Sequence, residues 1–98
     1  MAVIFHIPAA LREQTGGRKQ LVIERAPLTL ADALDALWAI CPGLRDRILT
    51  EQGQVREHIN IFIGEENVRY TGGLTSSVSS GSEISIVPAI SGGIEGSA

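Results

Sequence analysis

Only one stretch of this chain repeats apolar residues at helical spacing over several turns: Leu30, Ala33, Leu34, Leu37 and Cys41. Most other apolar residues come in short alternating runs, the period of half-buried strands. A single helix can cover one face of one sheet, so the strands must form a sheet with a helix on one side. Thr29 stands where the helix needs an N-cap, and Asp32, three residues on, makes an approximate capping box. The helix is expected to run to about Ile40, where Pro42-Gly43 breaks it. Residues 43–49 are expected to add a further turn or two, and Gln52-Gly53-Gln54 a loop.

The first strand comes from Val3, Phe5 and Ile7 facing inward, with Ile4 and His6 outward and Pro8 ending the run. Residues 9–14 read as a short turn or helical loop, and Thr15-Gly16-Gly17 as a turn. Residues 20–25 form the second strand, with Leu21 and Ile23 inward and Gln20, Val22 and Glu24 outward. So short a connection has no room for a helical crossover, which makes the pair an antiparallel hairpin. The third strand, residues 58–63, puts Ile59, Ile61 and Ile63 on one side. Gly64-Glu65-Glu66-Asn67 turns it into a short edge segment at residues 68–70. After a turn at Thr71-Gly72-Gly73, a crossing loop over residues 74–78 and a polar turn at Ser79-Ser80-Gly81-Ser82, the closing strand spans residues 83–87. Ile84 and Ile86 point inward there, and Val87 outward. This order predicts an α+β domain of the β-grasp (ubiquitin-like) type: a mixed sheet of four to five strands packed on one main helix, first and last strands parallel at its centre.

The closing strand runs on into Val87-Pro88-Ala89-Ile90-Ser91-Gly92-Gly93. The expected division is a domain at residues 1–87, a flexible Gly-Gly tail at 88–93, and an extension at 94–98 that is removable or a remnant of cloning. Unconstrained chain ends are usually polar, whereas Val87, Ala89 and Ile90 are apolar. Pro88 stiffens the exit from the strand. Glycine has no Cβ, so adjacent glycines can enter a slot too narrow for other residues. Cut after Gly93, the chain would end in an unhindered carboxylate.

Composition removes several function classes. Ninety-eight residues make one domain, and the 44% apolar fraction suits a globular core. No apolar run approaches the roughly 18 residues of a membrane span, and the N-terminus lacks signal-peptide features, so the cytoplasm is the expected compartment. The formal charge is −3 without a basic block, which disfavours nucleic-acid binding and is compatible with a partner presenting a basic surface. Cys41 has no second cysteine to pair with, and the two histidines offer no metal-ligand spacing.

Each chemistry-bearing residue has a plainer structural reading. His6 and His58 lack a neighbour in sequence that would orient them for acid–base work. Cys41, a possible nucleophile or sulfur relay, lies in the apolar phase of the helix and reads as a buried hydrophobe. Gly16-Gly17-Arg18-Lys19 superficially resembles an anion-binding loop but leads into a strand, so it reads as a hairpin turn, as does Gly72-Gly73. Trp38 reads as packing, and Asp32, Asp35, Asp46 and Glu51 with Arg45 and Arg47 as solvated surface charge. The inventory contains no catalytic constellation. A chain with a presented carboxylate and no such constellation reads as a carrier or substrate, not an enzyme.

Ile7-Pro8-Ala9-Ala10-Leu11-Arg12 followed by Thr15-Gly16-Gly17 resembles the first hairpin of the MoaD/ThiS ubiquitin-like sulfur carriers. Asn60-Ile61-Phe62-Ile63, Glu66-Asn67-Val68-Arg69 and the run from Gly81 through Gly93 resemble that family's second half. Within it, the runs from Ile7-Pro8 to Gly17 and Val68-Arg69-Tyr70-Thr71-Gly72-Gly73-Leu74 are closest to the CysO-type carriers of cysteine biosynthesis. The resemblance implies that the Gly93 carboxylate is adenylated with ATP by an E1-like enzyme of the MoeB/ThiF type. Sulfur then displaces AMP to leave a thiocarboxylate. It implies no bound cofactor or metal, a tail contact through Val87, Pro88, Ala89, Ile90, Ser91 and Gly92, and a sulfur-accepting synthase. By strand alternation Val22 and Ile4 are expected to widen the apolar patch beside Val87. Carriers of this family end at the second glycine, and some members are trimmed to it by a JAMM-type zinc metalloprotease. Cysteine biosynthesis is the expected destination of the sulfur; molybdopterin, thiamine or secondary-metabolite synthesis, a lysine-conjugated modifier and an inert interaction module are the alternatives.

Overall fold

The computed structural model of the chain describes residues 2–24 and 29–88. Strand β1 (Val3–His6) buries Val3 and Phe5 completely and turns Ile4 and His6 to the other face, as alternation requires. A 3-10 helix at Ala9–Thr15 leads to a turn in which Gly16 and Gly17 take φ of 69° and 88°, a region that glycine enters without Cβ strain. The buried Thr15 hydroxyl lies 3.0 Å from the Arg12 carbonyl and 2.9 Å from that of Arg18, closing the turn from inside. β2 (Gln20–Ile23) returns antiparallel to β1, with Ile4 opposite Val22. Residues 25–28 lie outside the described part.

Helix α1 (Leu30–Ile40) starts with the expected box: Asp32 N–H donates to Thr29 Oγ1, and Thr29 N–H donates to Asp32 Oδ2, both at 3.2 Å. Leu30, Ala33, Leu34 and Leu37 are buried along one stripe, with Trp38 partly buried at its margin. Cys41, at the helix C-cap, is buried and free. A 3-10 turn (Pro42–Leu44) and the four-residue α2 (Arg45–Ile48) follow, contributing Leu44, Ile48 and Leu49 to the core.

β3 (Ile59–Ile63), β4 (Glu66–Asn67) and β5 (Glu83–Pro88) complete a five-stranded sheet of order β2-β1-β5-β3-β4. β5 lies at its centre, parallel to β1 and antiparallel to β3. That is the β-grasp arrangement predicted above, with α1 covering the face formed by Phe5, Leu21, Ile61, Ile84 and Ile86. Each fully buried aliphatic side chain here contributes on the order of 1.5–3 kcal/mol before chain entropy is counted.

One expected element is displaced. The edge strand is Glu66–Asn67 and not residues 68–70, because β3 turns back within two residues, pairing Ile63 with Glu66 across Gly64-Glu65. Val68–Tyr70 is instead a 3-10 turn. Asn67 Oδ1 accepts the Arg69 N–H at 3.0 Å, offering the backbone a local partner in place of a ladder, and Val68 is drawn into the core. A 3-10 turn at Gly73–Thr75 opens the crossing loop.

Candidate functional site: the exit of the last strand

The end of β5 is held unequally by its neighbours. Its pairing with β1 stops at His6 and Ser85, whereas pairing with β3 continues through Asn60–Val87 and Ile59–Pro88. A central strand therefore leaves the sheet with β3 alone beside its last two residues. Pro88 has no N–H to give to a ladder, and the final rung is where a sheet tolerates it. Val87 points away from the core and is 43% exposed.

The outward face of the sheet carries Val22 and Ile4 opposite one another, with Ile4 next to Glu83. Between that pair and Val87 runs a row that joins Gln20, His6, Ser85, Phe62 and Asn67 across all five strands. Val22, at 47% exposure, thus shares a face with Val87 but does not adjoin it. Phe62, half-buried, lies in the intervening row opposite Ser85. His6 Nε2 lies 2.7 Å from Glu83 Oε1, tying the two parallel strands together on this face.

The start of β3 is braced from behind. Arg69 Nη2 donates to the carbonyls of Arg56 (3.2 Å), Glu57 (2.8 Å) and Ile59 (2.9 Å), and its Nε donates to Asn60 Oδ1 at 3.2 Å. Asn67 Nδ2 donates to the same oxygen at 3.2 Å. Because Arg69 Nε is a donor only, the Asn60 atom facing it must be oxygen, which fixes the amide orientation. Asn60 in turn stands opposite Val87. Neither Asn60 nor Arg69 stood out in the sequence as part of the site. Tyr70, one residue on, is 86% exposed.

Of the predicted site residues, Val87 and Pro88 are placed at the strand exit. Ala89, Ile90, Ser91, Gly92 and Gly93 lie outside the described residues, as do 94–98. His58 precedes β3 at the exit end, and among the described residues it makes no ion pair. Gly72 and Gly73, with φ of 117° and 60°, form a turn as read. Among the described residues no three His, Cys, Asp or Glu side chains gather as a metal site, and no helix is long and apolar enough to cross a membrane.

The ThiS family model matches residues 5–93, from the middle of β1 to the second glycine. The chain belongs to the ThiS family. The sulfur carrier protein CysO of Mycobacterium tuberculosis is 33% identical over 95 residues, covering 95% of this chain and 100% of that protein. The small archaeal modifier protein 1 of Haloferax volcanii is 33% identical over 85 residues, covering 87% of this chain and 93% of that one. In the crystal structure of the Amycolatopsis orientalis BexX/CysO complex, a chain 33% identical to this one superposes with a TM-score of 0.83, covering 93% of this chain and 99% of that chain. ThiS-family relatives of this length are thus named as carriers or modifiers, and one has been solved in a complex with a second protein.

Proposed function

We propose that this chain is a sulfur carrier whose reactive group is the C-terminal carboxylate of Gly93, serving cysteine biosynthesis. An E1-like adenylating enzyme of the MoeB/ThiF type binds the sheet face around Val87 and receives residues 88–93. A Gly93 carboxylate oxygen attacks the α-phosphorus of ATP, pyrophosphate leaves, and the acyl-adenylate forms. A sulfur nucleophile then attacks the carbonyl carbon and AMP departs, leaving a thiocarboxylate. Activation is needed because a carboxylate is a poor electrophile until one oxygen belongs to a good leaving group. The carrier's part is binding energy remote from the reacting carbon, which orients the tail. A synthase acting on an activated serine takes the sulfur. In the sequence as it stands Gly93 is joined to Ile94, so activation requires hydrolysis of that bond, the work of a JAMM-type zinc metalloprotease.

The observation that carries this reading is the family match reaching residue 93, the second glycine, while the strand that precedes it is central and has Val87 exposed next to its last residue, Pro88. The test is to incubate protein ending at Gly93 with ATP, the adenylating enzyme and sulfide, and to take the intact mass: exchange of one oxygen for sulfur supports the carrier. The likeness to small archaeal modifier protein 1 supports a second reading, in which activated Gly93 forms an amide with a lysine of another protein. Lysine-linked species of higher mass would select it. The chain's one lysine, Lys19, is the only site at which copies could link to each other through lysine.

A further inference from the structure

The chain is acidic overall, but its charge is sorted along the sheet. Because β5 runs parallel to β1 and antiparallel to β3, the β1–β2 connection, the segment leading into β3 and the exit of β5 at Pro88 lie at one end of the sheet. Arg12, Arg18 and Lys19 belong to that connection, and Arg56 lies just before β3. Arg69 reaches the same end through its bonds to the Arg56, Glu57 and Ile59 carbonyls, and Arg47 borders a pocket with Arg56. Six of the chain's eight Lys and Arg residues therefore surround the strand exit, against Glu13, Asp46 and Glu57. The opposite end carries Glu24 after β2, Glu65 and Glu66 at the β3–β4 turn and Glu83 at the start of β5, with no Lys or Arg among the described residues of those connections.

The pocket lies within the cationic end. It has a volume of about 280 Å³ and is lined by Asp46, Arg47, Arg56 and His58. His58 adjoins Ile59, the residue paired with Pro88, so the pocket borders the root of the tail. Arg56 Nε donates to the Asp46 carbonyl at 2.9 Å, which anchors the guanidinium while its two terminal nitrogens have no bonded partner among the described residues. The Asp46 carboxylate has a cation of its own, Arg45 Nη1 at 3.5 Å. Arg47, Arg56 and His58 make no ion pair among the described residues. A planar guanidinium with free terminal N–H groups matches a carboxylate in bidentate geometry.

We propose that this pocket receives a carboxylate side chain of the protein partner that takes the tail, and that the charge separation along the sheet turns the tail toward that partner during approach. The proposal rests on the reading that the tail is delivered to an adenylating enzyme. It reverses what the whole-chain charge suggests: the partner's matching surface is acidic. Sorted charge acts mainly on encounter, where steering changes association rates by about 10- to 1,000-fold and salt removes it.

The test is stopped-flow association of the chain with its purified adenylating enzyme across a range of NaCl concentrations. Arg47→Gln/Arg56→Gln is expected to slow association about tenfold at low salt and to flatten the salt dependence. Glu65→Gln/Glu66→Gln, at the far end, leaves the pocket intact and is expected to change the rate less than the arginine pair does. Arg47→Gln alone keeps the Arg56 anchor and gives a smaller effect of the same sign in a chain whose fold is not at issue. A wild-type rate and salt slope in both arginine variants overturns the proposal. An NMR titration with hexaglutamate, needing no enzyme, separates the two readings. Saturable shifts centred on Arg47, Arg56 and His58, lost in the double variant, support the pocket even if chain ending at Gly93 is never adenylated, an outcome that would sink the carrier reading alone. Adenylation of chain ending at Gly93 with no hexaglutamate shifts and no effect of the arginine variants sinks the pocket alone.

Discussion

Ile59 and Pro88 form the last rung of the β3–β5 ladder, and no β1 residue is paired beyond Ser85. The exit of the central strand is therefore only as well placed as the start of β3. That start is tied down by Arg69, which reaches three carbonyls and Asn60.

Arg69→Ala is expected to loosen this bracket without dismantling the core. Hydrogen bonds from a charged donor contribute about 1.5–3 kcal/mol where the acceptors are sheltered, and these are partly exposed, so a loss of about 1–2 kcal/mol is expected. Denaturant unfolding measures it, and amide exchange should speed up at residues 57–60 more than at 33–37. Arg69→Lys should recover little, since an ammonium cannot span the same acceptors. Uniform exchange across the sheet would contradict the bracing role.

Val87→Asp tests the partner face. Val87 is half exposed and points away from the core, so the substitution should cost no more than about 1 kcal/mol of stability. An apolar contact replaced by a charge should lower kcat/KM for activation at least about tenfold. Equal loss of folding and activity would assign Val87 to the core instead.

Much of the architecture was legible because local and global signals agree. Val3, Phe5 and Ile7 alternate with outward residues, Thr29 and Asp32 carry a cap signature, and the inward Ile84 and Ile86 mark the closing strand. Val68–Tyr70 was not legible, because a side chain, Asn67 Oδ1, and not a hydrophobic period decides its conformation. The charge polarity was hidden for a different reason. Arg12 and Arg69 are far apart in sequence and share an end only because β5 runs parallel to β1 and antiparallel to β3. The tail was legible as a motif, and Gly93 itself lies outside the described residues.

Leu34→Ala removes a side chain that is 1% exposed beneath the sheet. A loss of about 2–5 kcal/mol is expected, a large share of a domain's typical 5–15 kcal/mol, with a lower denaturation midpoint and an unchanged slope.

Thr29→Ala breaks the capping box while leaving the buried stripe intact. About 1 kcal/mol should be lost, and Thr29→Ser should restore most of it. Thermal melting of the three proteins side by side is sufficient, and an unshifted midpoint in the alanine variant would show that the cap is not used in solution.

The reactive atom of the proposed carrier is the carbonyl carbon of Gly93. Chain ending at that residue, mixed with ATP, its adenylating enzyme and sulfide, is predicted to gain one sulfur for one oxygen in the intact mass, with fragmentation locating the exchange at the C-terminus. Gly93→Ala should slow the exchange sharply, because a methyl group is added where the chain must pass a narrow slot. An unchanged mass, with the enzyme shown active on another carrier, would contradict the account.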